Sequence, residues 1–114
     1  MKQIKLIETP ITNSQAPEGF KLNYRTEFLR ILEIVPEGAT VSQMGAAIKI
    51  VDKLNNTQIG HALFLEDAEH AYLKAKLDAA RFIFVAPEIV AMVEAVANAE
   101  GCEAPHLAQG ASAD

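Results

Sequence analysis

Residues 40–54 read TVSQMGAAIKIVDKL, and the fold class turns on this stretch because it holds a helix start, a helical period and one flaw. Thr40 and Gln43 stand at the spacing of a capping box, in which a hydroxyl and an amide satisfy the free N–H groups of a helix start. Val41, Met44, Ala47, Ile48, Val51 and Leu54 then recur at helical spacing and predict one apolar stripe. Gly45 is the flaw, since glycine inside a helix is about 1 kcal/mol less favourable than alanine. It predicts a close approach of another backbone, and Asn55-Asn56 closes the helix.

Upstream, Pro36-Glu37-Gly38 ends an earlier helix, because proline disfavours helix in its predecessor and glycine permits the turn. That helix starts at Asn23, a natural N-cap, and places Tyr24, Phe28, Ile31, Leu32 and Val35 on one face. Lys2 to Glu8 alternates polar and apolar residues and predicts a short strand. Thr9 to Gly19, with Pro10, Asn13, Ser14, Pro17 and Gly19, predicts a loop. Phe20, Leu22 and Tyr24 alternate again and are expected to pair with the first strand.

Downstream, the apolar run Ile59 to Leu65 is too short for a helix and predicts a strand or extended connector beside the N-terminal strand. Glu66 and Asp67 suit the positive end of a third helix dipole. Ala68, Tyr72, Ala75, Ala79 and Phe82 form its expected buried face, widened by Leu73, Leu77, Ala80 and Phe84. Pro87 suits the first position of a fourth helix, with Ile89, Val90, Val93, Val96 and Ala97 as its stripe and Gly101 as its C-cap. Residues 102–114 have no period and read as a flexible tail after a single domain over 1–101. The expected class is α+β, three to four amphipathic helices with a small two- to three-stranded sheet; a nearly all-α bundle is the alternative.

A chain of 114 residues, half of them hydrophobic, suits one soluble domain that buries roughly two-thirds of its unfolded surface. The longest strongly apolar run, Phe82 to Ala86, falls far short of the ~20 residues that cross a bilayer, which argues against a membrane. The N-terminus lacks the pattern of a secretory signal and Cys102 stands alone, so a cytoplasmic setting is expected. Net charge is −5, and residues 56–114 hold nine acids against three Lys or Arg. That balance argues against nucleic acid as the partner, because phosphate neutralisation needs clustered positive charge.

Chemistry-bearing groups are sparse. His61, Glu66 and His70 are the densest set of metal-ligand types, with Glu66 and His70 four apart on one helix face. Paired motifs such as His-Glu-x-x-His are missing, and the acids are already explained as helix-start residues, so no metal and no cofactor are expected. Cys102 and His106 pair a thiol with a base, but in a stretch without the fixed geometry that nucleophile activation needs. No Gly-rich phosphate loop or Gly-x-Ser-x-Gly elbow occurs, and a non-enzymatic protein is expected. The turn from Pro36 to Thr40 between two helices suggests a winged-helix-like DNA-binding regulator as a second reading, although its second helix offers only Lys49 and Lys53 as cations.

Contact with protein is the leading expectation. Met44, Ile48 and Val51 on the second helix, with Ile89, Val93 and Val96 on the fourth, make broad aliphatic faces suited to a protein partner or a homo-oligomer. The competing reading packs these stripes against each other in one core. A Lys-Leu-Ile strand (Lys5 to Ile7), Pro-Ile-Thr-Asn (Pro10 to Asn13), Gly-Ala-Thr-Val-Ser-Gln-Met (Gly38 to Met44) and Leu-Glu-Asp-Ala (Leu65 to Ala68) follow one another. With these motifs the chain resembles, over most of residues 1–96, small accessory and virion-associated proteins of tailed bacteriophages and prophages. The resemblance implies a phage-encoded protein, a minor virion or assembly component or a binder of a host factor, located in the host cytoplasm or the virion.

Overall fold

The computed structural model describes residues 1–101. Its elements in chain order are β1 (Lys2–Lys5), β2 (Glu8–Pro10), β3 (Lys21–Asn23), α1 (Tyr24–Glu33), α2 (Val41–Asn55), β4 (Ala62–Leu65), α3 (Asp67–Ala79), α4 (Pro87–Ala97) and β5 (Glu100–Gly101). The fold is α+β, as expected, and the all-α alternative is set aside by two antiparallel sheets, one ordered β4-β1-β5 and one pairing β2 with β3.

Strand β1 is central in the larger sheet because both of its edges are used. Its Ile4 faces Leu63 of β4, and Gln3 faces Glu100 of β5. Alternation puts Ile4, Leu6, Leu63 and Leu65 on the covered side, all buried, while Gln3 and Lys5 face outward. The ladder runs on past the strands, with the Leu6 amide donating to the His61 carbonyl at 3.0 Å and the Gly60 amide to the Leu6 carbonyl at 2.7 Å. Gly60 has φ +95°, a left-handed value that glycine tolerates, so it supplies the turn that brings β4 back against β1.

The expected pairing of the Phe20 to Tyr24 segment with the first strand holds at that strand's end, where Glu8 pairs with Asn23 and the Tyr24 amide donates to the Ile7 carbonyl at 3.0 Å. The pairing runs on into what reads as a loop, with Leu22 opposite Thr9 of β2, while β1 itself pairs with β4 and β5. Pro10 hides this strand in the sequence, yet proline is tolerated at the end of an edge strand. Strand β5 is also unforeseen: Gly101 belongs to it, and Asn98 caps α4 instead.

The helix starts are legible. Asn23 Oδ1 accepts from the Thr26 amide at 3.0 Å, and Thr40 and Gln43 exchange both bonds of a capping box, at 3.1 and 2.8 Å. α1 buries Tyr24, Phe28, Ile31 and Leu32 as expected, but ends before Val35. The buried face of α3 is corrected: Glu69, Leu73 and Leu77 point inward, Ala68, Ala75 and Ala79 are exposed, and Phe82 and Phe84 lie beyond the helix. Leucine displaces alanine from the core because it removes far more apolar area from water. One buried cluster joins the inner sheet face with α1, α2, α3 and α4. The stretch 102–114, expected as a tail, lies outside the described residues.

Candidate functional site

Helix α2 carries two apolar stripes, and only one of them can face the core. Ala47, Ile50 and Leu54 are buried. Val41, Met44 and Ile48, of which the last two are among the expected contact residues, are 84, 49 and 65 % exposed. They follow one another at i, i+3 and i+7, so they form a continuous outward ridge, with Val51 half-buried at its inner edge. Gly45 lies beside the ridge, and a side chain placed there would meet nothing within 4 Å. The expected close packing at Gly45 is therefore absent among the described residues, and the glycine is a shallow, open notch on the surface.

Polar contacts hold α2 in this rotation. Arg25 of α1 donates from Nε to the Leu54 carbonyl at 2.8 Å, which fixes the C-terminal turn. Lys53 Nζ sits 2.6 Å from Glu69 of α3. Both contacts lie on the inward half of the helix, so Val41, Met44 and Ile48 are directed away from α1 and α3. Exposed Asp52, four residues beyond Ile48, ends the ridge with a negative charge, and exposed Lys49 flanks it.

Helix α4 does not repeat this arrangement. Ile89 and Val96, expected at an interface, are buried together with Met92, and Val93 is half-buried against the same core. Val90 takes the outward position. Proline at N1 and the Thr12 contact to Glu88 set this rotation: Glu88 accepts from the Thr12 amide at 2.8 Å and its hydroxyl at 2.9 Å. Those bonds, with the Glu88 amide, hold its carboxyl below the usual carboxylate range. Of the six expected contact residues, Met44 and Ile48 lie open, Val51 and Val93 are half-buried, and Ile89 and Val96 are core.

The metal-ligand types are not brought together. His61 is exposed in the turn after Gly60, Glu66 is the exposed N-cap of α3, and the His70 ring places Nε2 2.6 Å from the Val96 carbonyl. That distance makes Nε2 the donor and His70 a strap between α3 and α4. Among the described residues no three His, Cys, Asp or Glu side chains converge. Cys102 and His106 lie outside the described residues. Burial raises the Tyr24 hydroxyl above the ordinary tyrosine value.

Among the described residues no helix is long and apolar enough to cross a membrane. Comparison with protein-family models, curated proteins and solved structures finds no match for this chain.

Proposed function

We propose that this protein acts by contact, without a catalytic step, and that the outward ridge of α2 packs against the same ridge of a second copy. The observation that carries the reading is the exposure of Val41, Met44 and Ile48 on a helix whose other face is fully used. Self-pairing fits the order of residues along α2. In an antiparallel, two-fold arrangement centred between Gly45 and Ile48, each Ile48 lies over the open Gly45 notch of the other copy. The same geometry sets Asp52 near the first turn of the opposing helix at Val41, where the dipole favours negative charge.

The resemblance to phage accessory and virion-associated proteins supports the same reading, with an assembly role in the host cytoplasm or the virion as its setting. One helix face is a small interface, so self-association on the order of micromolar to tens of micromolar is expected. Sedimentation equilibrium of the full chain tests it: dimers in this range that become monomers on Ile48→Asp support the proposal. A strict monomer at hundreds of micromolar sinks it. Salt-dependent retention on duplex DNA would instead favour the regulator built on α1 and α2.

A further inference from the structure

Two depressions adjoin where the C-terminal ends of α1 and α3 meet the segment 80–86. The larger, about 570 Å³, is walled by Arg30, Ile34, Glu37, Lys76 and Arg81. The smaller, about 230 Å³, is walled by Phe20, Leu22, Phe82, Phe84 and Ile89, with Glu27 at its edge beside Arg30. Arg30 and Arg81 line both, so two guanidinium groups stand where a cationic cleft opens onto an aromatic pocket. No residue of α2 lines either depression, and this site is independent of the proposed self-contact.

The charges here are unequally matched. Lys76 pairs with Glu37 at 3.1 Å, and Arg30 pairs with Glu27 at 2.9 Å while its guanidinium lies 5.5 Å from the centre of the Phe82 ring. Arg81 makes no ion pair and no side-chain hydrogen bond among the described residues. A free, planar guanidinium suits a carboxylate because its parallel N–H groups match the two oxygens. Helix C-termini attract cations and account for part of this cluster. They do not account for the pocket beneath it, where Phe20 and Phe84 meet edge-to-face at 5.3 Å and leave apolar walls open to solvent.

We propose that the two depressions form one binding site for a small amphipathic carboxylate. Its aryl or short alkyl body enters the pocket of Phe20, Phe82 and Phe84, and its carboxylate pairs with Arg81, while Arg30 stays held by Glu27. Size is consistent: a cavity of roughly 150 Å³ takes up benzene, so about 230 Å³ has room for a phenyl ring with a short side chain. Pockets of this kind commonly join apolar walls to a few convergent polar groups.

The test is a titration of the full chain with 3-phenylpropionate, followed by 1H–15N NMR, with 3-phenylpropionamide as the neutral comparator. Saturable shifts confined to Arg30, Phe20 and residues 81–84 are expected, with the amide binding at least about fivefold more weakly. Arg81→Gln, a change at an exposed loop position, should weaken the carboxylate about tenfold while leaving the amide unchanged, as loss of a charge-assisted hydrogen bond implies. Equal affinity for acid and amide, unchanged affinity in Arg81→Gln, shifts mapping elsewhere, or no saturation by 10 mM, on the order of the weakest specific affinities, would each overturn the proposal.

Discussion

A single carboxylate oxygen, Glu69 Oε1, accepts from Lys53 Nζ at 2.6 Å and from the Glu66 amide at 2.9 Å. The side chain is buried at the junction of α2 and α3, so it satisfies the first turn of one helix while it anchors the other. The rotation of α2, and with it the outward ridge, depends on this contact.

Glu69→Ala is therefore expected to destabilise the fold by about 1–3 kcal/mol, because it leaves a half-buried ammonium and a helix-start amide without their partner. Glu69→Gln keeps an acceptor for the Glu66 amide and should lose less. Urea unfolding reads the difference as a lower midpoint at unchanged slope; equal losses in the two variants would contradict the dual role.

The two stripes of α2 should respond oppositely. Leu54→Ala, at a fully buried position, is expected to cost about 2–5 kcal/mol. Ile48→Asp, at an exposed one, should shift stability by no more than about 0.5 kcal/mol at concentrations where the chain is monomeric. Thermal unfolding of dilute samples distinguishes them.

Gly45→Ala separates folding from association. The position is helical, exposed and unobstructed, so alanine should stabilise the monomer by about 0.5–1 kcal/mol. In the two-fold packing the added methyl fills the notch that receives Ile48, so the dimer should weaken. A higher Tm in dilute solution together with a larger dissociation constant is the expected pair of results; tighter association would refute that packing.

Glu88 makes stability depend on acid. Its carboxyl is held lower than the ordinary 4.5 by the Thr12 amide first, then its own amide and the Thr12 hydroxyl. A folded value below the unfolded one means the contribution is complete above about pH 4.5 and disappears as pH falls through the lower folded value. The stability gap between the natural chain and Glu88→Gln should accordingly narrow between pH 6 and pH 3, on the scale set by ordinary carboxylate titration. Urea midpoints across that range measure it, and a constant gap would contradict the assignment.

Local structure was legible where neighbouring residues cause it. Asn23 and the Thr40 to Gln43 pair cap their helices through contacts spanning three residues, and Pro87 starts α4 through its own fixed φ. The pairing of β1 with the 59–65 run was readable too, since Lys2 to Glu8 alternates and the later run is apolar and too short for a helix, so both need cover. Strand β2 was not, because Pro10 and the turn residues after it read as a loop, and only the pairing with Leu22 and Lys21 makes Thr9 and Pro10 part of a sheet. The carboxylate pocket was equally hidden: Phe20, Arg30 and Arg81 come from three separate segments, and no spacing in the sequence joins them.

By itself the sequence determined that α2 is a helix and that it has more apolar surface than one contact face needs. Which stripe turns inward was decided only in the tertiary structure, where Arg25 and Glu69, from α1 and α3, hold Leu54 and Lys53. Helical periodicity reports that apolar residues share a face, but burial depends on what the rest of the chain brings against that face. Ile50 and Leu54 found partners there, and Met44 and Ile48 did not.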